Sequence, residues 1–181
     1  MSVQRPKPDE FAPFYAGYIA RVADVADAPG RLRDQGEAVG ALLGSVSEVA
    51  SVFRYAPEKW SIKEVLGHLA DAERVFAYRL LRVARGDETP MPGFDEQAWV
   101  REAGFDRSSL EDLSDSFQAA RAATSALVRG VDPGAWHRRG VANGHPVTAR
   151  SLLYIVLGHV EHHLEVLKTR YGVGTAGAPS R

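Results

Sequence analysis

Ser61-Ile62-Lys63-Glu64-Val65-Leu66-Gly67-His68-Leu69-Ala70-Asp71-Ala72-Glu73 is the stretch from which the fold can be read. Ser61 and Glu64 form a Ser-x-x-Glu capping box, in which hydroxyl and carboxylate each satisfy a free backbone N–H at a helix start. From there Val65, Leu69, Ala72, Phe76, Leu80 and Val83 recur at helical spacing, which predicts a helix over Ile62 to Ala84 with one apolar face. Gly86 ends it, and Pro90 and Pro92 keep the following segment from resuming it.

Outward from this helix the same logic finds three partners. Toward the N-terminus, Leu32, Val39, Leu42, Leu43, Val46 and Val49 predict a helix over Arg31 to Ser51, entered after a break at Pro29-Gly30. Toward the C-terminus, Ser108 or Ser109 caps a helix running to about Arg129, with Leu113, Phe117, Ala120, Ala123 and Leu127 on its buried face. Thr148 caps the last, Ala149 to Arg170, where Leu152, Val156, His159, His163, Val166 and Leu167 share a face. Residues 1–30 read as a proline-rich, extended lead-in with a short helix within Phe14 to Val25, and 31–171 as the bundle. The Gly/Ala/Pro/Ser-rich residues 172–181 read as a disordered tail. No strand is evident, so the expected fold is all-α: an antiparallel four-helix bundle with long inter-helix connections, 86–105 and 130–146. Asp95 to Ala103 is expected to hold a short helix within the first connection.

The chain has 181 residues, 45% apolar and 25% charged, with a formal net charge of −1. That charge gives no basis for binding nucleic acid or an anionic membrane. There is no cysteine, which removes disulfides, zinc ribbons and thiol nucleophiles. The N-terminal residues lack the apolar run of a signal peptide, so the expected location is the cytoplasm.

The histidines carry the chemistry. His159 and His163 are four residues apart and share one helix face; His68 lies on or beside the inward face of its own helix. Three neutral imidazoles with one open position are a catalytic metal site of the kind zinc favours. A single buried histidine is more often a hydrogen-bonded core residue. Burying three without a partner, however, would cost a few kcal/mol each, roughly that of a lost polar interaction. His162 falls on the stripe of Ser151, Ile155, Gly158, Glu165 and Thr169 and is expected at the rim. Val160 stands where metallopeptidase helices carry the glutamate of His-Glu-x-x-His, so the peptidase reading loses its base. Asp71, one turn from His68, is the candidate catalytic carboxylate, either accepting a hydrogen bond from a ligand histidine or remaining a solvated charge; Glu73 reads as structural. Trp60 is expected to anchor its helix, and Met91, Phe94, Trp99 and Trp136 to wall a pocket or pack the loops. Arg138, Arg139 and Arg150 are candidates for binding a carboxylate of a cofactor, or a solvated basic patch; His137 and His145 read as turn residues.

Three stretches, Lys59 to Glu73, Gly144-His145-Pro146-Val147-Thr148-Ala149-Arg150 and Gly158-His159-Val160-Glu161-His162-His163, resemble the DinB/YfiT-like superfamily of metal-binding four-helix-bundle proteins over about Arg31 to Tyr171. The resemblance implies a divalent cation, zinc or nickel, on His68, His159 and His163. It implies a water or substrate at the open position. Relatives include S-transferases that use bacillithiol or mycothiol, and a mycothiol-using maleylpyruvate isomerase. The leading expectation is therefore a metal-dependent enzyme that transfers a low-molecular-weight thiol to an electrophile. The alternatives are a metal-dependent hydrolase, or a non-catalytic, stress-related metal- or ligand-binding protein. A small molecule is the expected partner, and an exposed helix face leaves room for a homodimer.

Overall fold

Each of the two histidine-bearing helices starts on a reciprocal cap. Ser61 Oγ accepts the Glu64 N–H at 3.0 Å while a Glu64 carboxylate oxygen accepts the Ser61 N–H at 2.8 Å. Thr148 Oγ1 accepts the Ser151 N–H at 3.1 Å, and Ser151 Oγ accepts the Thr148 N–H at 2.9 Å. The computed structural model describes residues 1–174. In chain order they form α1 (Ala16–Arg21), α2 (Ala28–Leu43), α3 (Ile62–Ala84), α4 (Glu96–Ala103), α5 (Leu110–Arg129), β1 (Arg139–Ala142), β2 (His145–Thr148) and α6 (Ala149–Tyr171).

The four long helices α2, α3, α5 and α6 make the bundle. Glu48, just beyond α2, accepts from both Lys63 Nζ and the Leu110 N–H, so α3 and α5 start at the same end and run in the same direction. α2 and α6 run the opposite way, which makes α3/α6 and α2/α5 the antiparallel pairs. Two neighbouring helices can run parallel only if the chain crosses back between them, and residues 85–109, with α4, make that return.

α6 is the centre of the molecule. Every residue from Ala149 to Val160 is buried, including the stripe of Ser151, Ile155 and Gly158 expected to be more polar. The cover on that side is α1 and the N-terminal segment, so the extended lead-in is part of the core. Val3 pairs with Val25 as an isolated bridge, and the buried Tyr154 hydroxyl ties them together. It donates to the Val3 carbonyl at 3.0 Å and accepts the Val25 N–H at 3.2 Å. The approach of α1 to α6 requires glycine, because a Cβ on Gly158 would overlap the Tyr18 backbone carbonyl.

Several sequence expectations are corrected. Pro29 does not break the chain but sits in the first turn of α2, where its missing N–H costs nothing. α2 stops at Leu43, where Gly44 begins a run of turns, rather than continuing to Ser51. The connection before α6 holds a two-stranded hairpin, with Asn143 at φ 53° and Gly144 at φ 73° forming its turn. Asn-Gly is the dipeptide such a turn demands, so the signal for strands was present. On α5 the buried residues beyond Phe117 are Arg121, Thr124, Ser125 and Val128, not Ala120, Ala123 and Leu127. A polar side chain, Arg121, occupies the core-facing position because Glu73 of α3 meets it there at 2.9 Å. At the C-terminus, Gly172 is left-handed and Val173 is buried, so the expected disorder does not extend to residues 172–174. The rest of the expected tail, residues 175–181, lies outside the described residues.

The α1–α6 approach is testable by sign. On helix propensity alone Gly158→Ala should stabilise by about 1 kcal/mol. Overlap with the Tyr18 carbonyl should instead destabilise by roughly 1–3 kcal/mol, as overpacking does, read by urea denaturation. A more stable variant would show that α1 does not pack as described.

Candidate metal centre

α3 presents His68 two turns from its cap, and the middle of α6 presents His159 and His163 one turn apart. All three side chains are buried, and one nitrogen from each lies within 4.8 Å of the others. The Nε2 atoms of His68 and His159 are 2.9 Å apart. Ring centroids are separated by 4.9 Å for His68–His159, 5.0 Å for His68–His163 and 4.6 Å for His159–His163.

Aromatic rings enclose the cluster. Trp60 lies 4.7 Å from the His68 ring, and Tyr18 and Phe76 lie 5.4 Å and 5.5 Å from that of His159. Trp60 also donates its indole N–H to Gln97 of α4 at 3.1 Å, joining the long connection to the cluster. Two cavities meet the histidines. One of about 290 Å³ reaches His68 and His159 and is walled by Tyr15, Tyr18, Phe76, Arg79 and Phe94. The other, about 380 Å³, reaches His163 past Trp60 and His162.

Burial decides the protonation of the cluster. It lowers the His68 pKa from its ordinary 6.5 to about 4, with the neighbouring His162 charge a smaller contribution. Burial and then mutual repulsion push His159 and His163 well below the ordinary value too. All three imidazoles are therefore neutral at physiological pH, the form in which nitrogen ligates. His163 Nδ1 is buried without a hydrogen-bond partner. The close Nε2–Nε2 approach of His68 and His159 can be bridged by a single proton at most. An orphaned nitrogen on one ring and two close nitrogens on its neighbours, in a cluster whose converging nitrogens lie within 4.8 Å, fit a shared cation.

The other sequence candidates fall outside this triangle. His162 is half-buried at the rim, its ring 5.0 Å from that of His163 and 5.5 Å from that of Tyr18. Asp71 is not brought to the histidines: its carboxylate pairs with Arg74 at 3.5 Å and lines an apolar pocket with Met91, Phe94 and Trp99 that adjoins the histidine cavity at Arg79 and Phe94. Partial burial raises its pKa, opposed by Arg74. Glu161 is held by Gln35 at 2.8 Å and Arg31 at 2.6 Å. Arg150 is buried against Glu10, Arg139 pairs with Asp9 at 2.8 Å, and Arg138 donates to the Ala84 carbonyl. None of these three arginines lines either cavity at the histidines, because each is used to pin the N-terminal segment or the hairpin. Trp136 is a core residue, whereas Phe94 walls the histidine cavity.

The residues missed from sequence are Tyr15, Tyr18 and Arg79. Arg79 continues the face of His68, Ala72 and Phe76, so its spacing did mark it as an inward cation. Nothing in the sequence of α1 indicates that it docks its two tyrosines over the histidines.

In metal-free protein, stability should fall on acidification. The unfolded chain protonates His68 near 6.5 and the folded chain only near 4, so between these values the unfolded state binds more protons. The contribution is complete above pH 6.5 and is lost towards pH 4, by roughly 3 kcal/mol for His68 alone, with His159 and His163 adding in the same direction. Urea denaturation of the metal-free protein across this range measures it. A flat profile would contradict burial of neutral imidazoles.

The family model described as the DinB superfamily matches residues 31–167. Among solved structures, YfiT from Bacillus subtilis, described as a probable metal-dependent hydrolase with an unusual four-helix bundle topology, is similar at a TM-score of 0.66 and 17% identity. That likeness covers 94% of this chain and 95% of YfiT. A mycothiol-dependent maleylpyruvate isomerase is similar at 0.66 and 17%, covering 89% of this chain and 66% of the isomerase. At these identities the likeness is one of fold. No curated protein sequence matches the chain.

Proposed function

The chain belongs to the DinB superfamily, and from that premise we propose that it is a metal-dependent enzyme transferring a low-molecular-weight thiol, of the bacillithiol or mycothiol type, to an electrophile. The cation is held by His68, His159 and His163. The observation that carries this reading is the convergence of three buried imidazoles, one with an orphaned nitrogen, where two cavities meet them. Imidazole ligands suit zinc or nickel better than magnesium or calcium, and three ligands leave a position for an exchangeable group.

A divalent cation there would supply Lewis acidity that keeps an incoming thiol ionised near neutral pH. The protein's own residues do the rest. The three histidines remain neutral through burial and so stay available as ligands. Tyr15 and Tyr18 keep their protons, because burial raises both hydroxyls, and can donate hydrogen bonds to a substrate in the cavity. Trp60, Tyr18 and Phe76 wall off the cluster and limit the water that could compete for the electrophile. With no cysteine in the chain, sulfur has to arrive on the cosubstrate. The similarity of fold to a mycothiol-dependent isomerase favours that class of cosubstrate.

Hydrolysis is the second reading, favoured by the near-complete coverage of YfiT. A cation on three histidines would itself acidify a bound water, and a carboxylate base would further help to activate and orient it. Two carboxylates on the histidine-bearing helices, Asp71 and Glu161, are turned to Arg74 and to Gln35 and Arg31. A thiol of ordinary acidity ionises on a metal without such a base, which ranks transfer first.

Purified protein should carry about one divalent ion per chain, as a single site of this type would. Elemental analysis should find it lost in His68→Ala, His159→Ala and His163→Ala and kept in His162→Ala and Asp71→Asn. Loss in His162→Ala with retention in His163→Ala would invert the assignment. Metal-loaded protein should conjugate bacillithiol or mycothiol to a panel of electrophiles and be inactive without thiol. Turnover of esters or amides that ignores added thiol would instead support hydrolysis.

A further inference from the structure

Among the described residues three arginines are buried: Arg79, Arg121 and Arg150, at 3%, 2% and 5% exposure. Arg121 has Glu73, and Arg150 has Glu10, each carboxylate as deeply buried as its partner. Arg79 has no carboxylate partner among the described residues. It donates to the Pro92 carbonyl at 2.7 Å and shares a hydrogen bond with the Tyr15 hydroxyl, both neutral partners, and its guanidinium lies 6.0 Å and 5.7 Å from the ring centroids of Phe76 and Phe94. It also lines the cavity that ends at His68 and His159. A buried cation without a counter-charge, facing a cavity, is a site for an anion.

We infer that Arg79 is the anchor for a carboxylate on the substrate, and that the acceptor is a small, planar monocarboxylate lying along the Phe76 ring, with a C=C conjugated to the carboxyl across which the thiol adds, sulfur to one carbon and the thiol's proton to the other, with no leaving group. The geometry supports each part. The Phe76 ring lies 5.5 Å from the His159 ring between centroids and 6.0 Å from the Arg79 guanidinium. A molecule held at Arg79 therefore extends over one ring's width to the histidines. Arg79 lies three helical turns beyond His68, about 16 Å by helical rise, and its side chain leans back toward the N-terminus of α3. The walls, Phe14, Tyr15, Tyr18, Phe76 and Phe94, are aromatic, so the body between the two ends is flat and apolar. The guanidinium fork matches the two oxygens of a carboxylate. Glu96 also lines this cavity and is exposed, so it repels a second anionic group and limits the ligand to one.

The inference takes the histidine cluster as the reacting end, as proposed above, but the Arg79 end stands separately on metal-free protein. Calorimetry of metal-free protein with benzoate, cinnamate and 2-naphthoate, each against its neutral amide, and with phenyl phosphate tests it. At least one carboxylate should bind ten-fold or more tightly than its amide and more tightly than phenyl phosphate. Arg79→Met should abolish that preference and Arg79→Lys should retain part of it. Far-ultraviolet circular dichroism and thermal melting establish that both variants are folded. The wild-type comparison of acid with amide needs no variant. Equal binding of acid and amide, binding of no carboxylate in the panel, or preference for the phosphate would overturn the assignment. Carboxylate binding in a protein that takes up no metal would leave Arg79's role standing and remove the proposed function; the converse would do the reverse.

Discussion

Three imidazoles removed from water within 4.8 Å of one another are the constraint on which the structure turns. Each must be neutral to be buried, each carries a nitrogen that needs a partner, and the cluster supplies too few protons and acceptors to satisfy all of them internally. A cation that accepts a lone pair from each resolves all three at once. The chain spends much of its architecture on reaching this arrangement. α6 runs through the middle of the bundle, buried on every side down to Val160, so that His159 and His163 emerge where α3 brings His68.

Holding that register takes polar groups inside the core. Glu73 of α3 meets Arg121 of α5, Arg121 also donates to Gln35 of α2 at 3.2 Å, and Gln35 donates to the Leu157 carbonyl of α6 at 3.0 Å. One connected set of side chains thus touches all four long helices at the level of the histidines. A buried ion pair is weak evidence for stability, since desolvation offsets most of the attraction. Its geometric specificity is more useful here: slipping α3 or α5 by a turn would leave a buried charge alone, and slipping α2 or α6 would strand the buried Gln35 amide. The same reasoning separates Arg121 and Arg150, whose carboxylates are supplied by the fold, from Arg79, whose carboxylate is not.

The bundle and its histidines were legible because periodicity and capping are local. Ser61 with Glu64 and Thr148 with Ser151 fix where α3 and α6 begin, and the stripe from Leu152 to His163 fixes which way the pair faces. The hairpin was legible in principle, since Asn143-Gly144 is its turn, but its strands of four residues are too short for alternation to register. What could not be read depends on tertiary pairing. Arg121 looks like a surface residue until Glu73 is seen opposite it. Tyr15 and Tyr18 reach the site only because Gly158 lets α1 lie against α6. Asp71 shares a helix side with His68, as the sequence suggested, yet three residues fall about 60° short of a full helical turn, enough to point its carboxylate at Arg74 and the adjoining pocket.

The central claim is that these three histidines, and no carboxylate, form the protein's share of a metal's ligands. X-ray absorption at the metal edge of zinc-loaded protein tests it most directly. The account predicts three imidazole nitrogens at about 2.0–2.1 Å and one light exchangeable ligand, replaced by a sulfur near 2.3 Å when a small thiol is added. A shell dominated by oxygen, or a closed four-ligand shell that a thiol does not change, would contradict it.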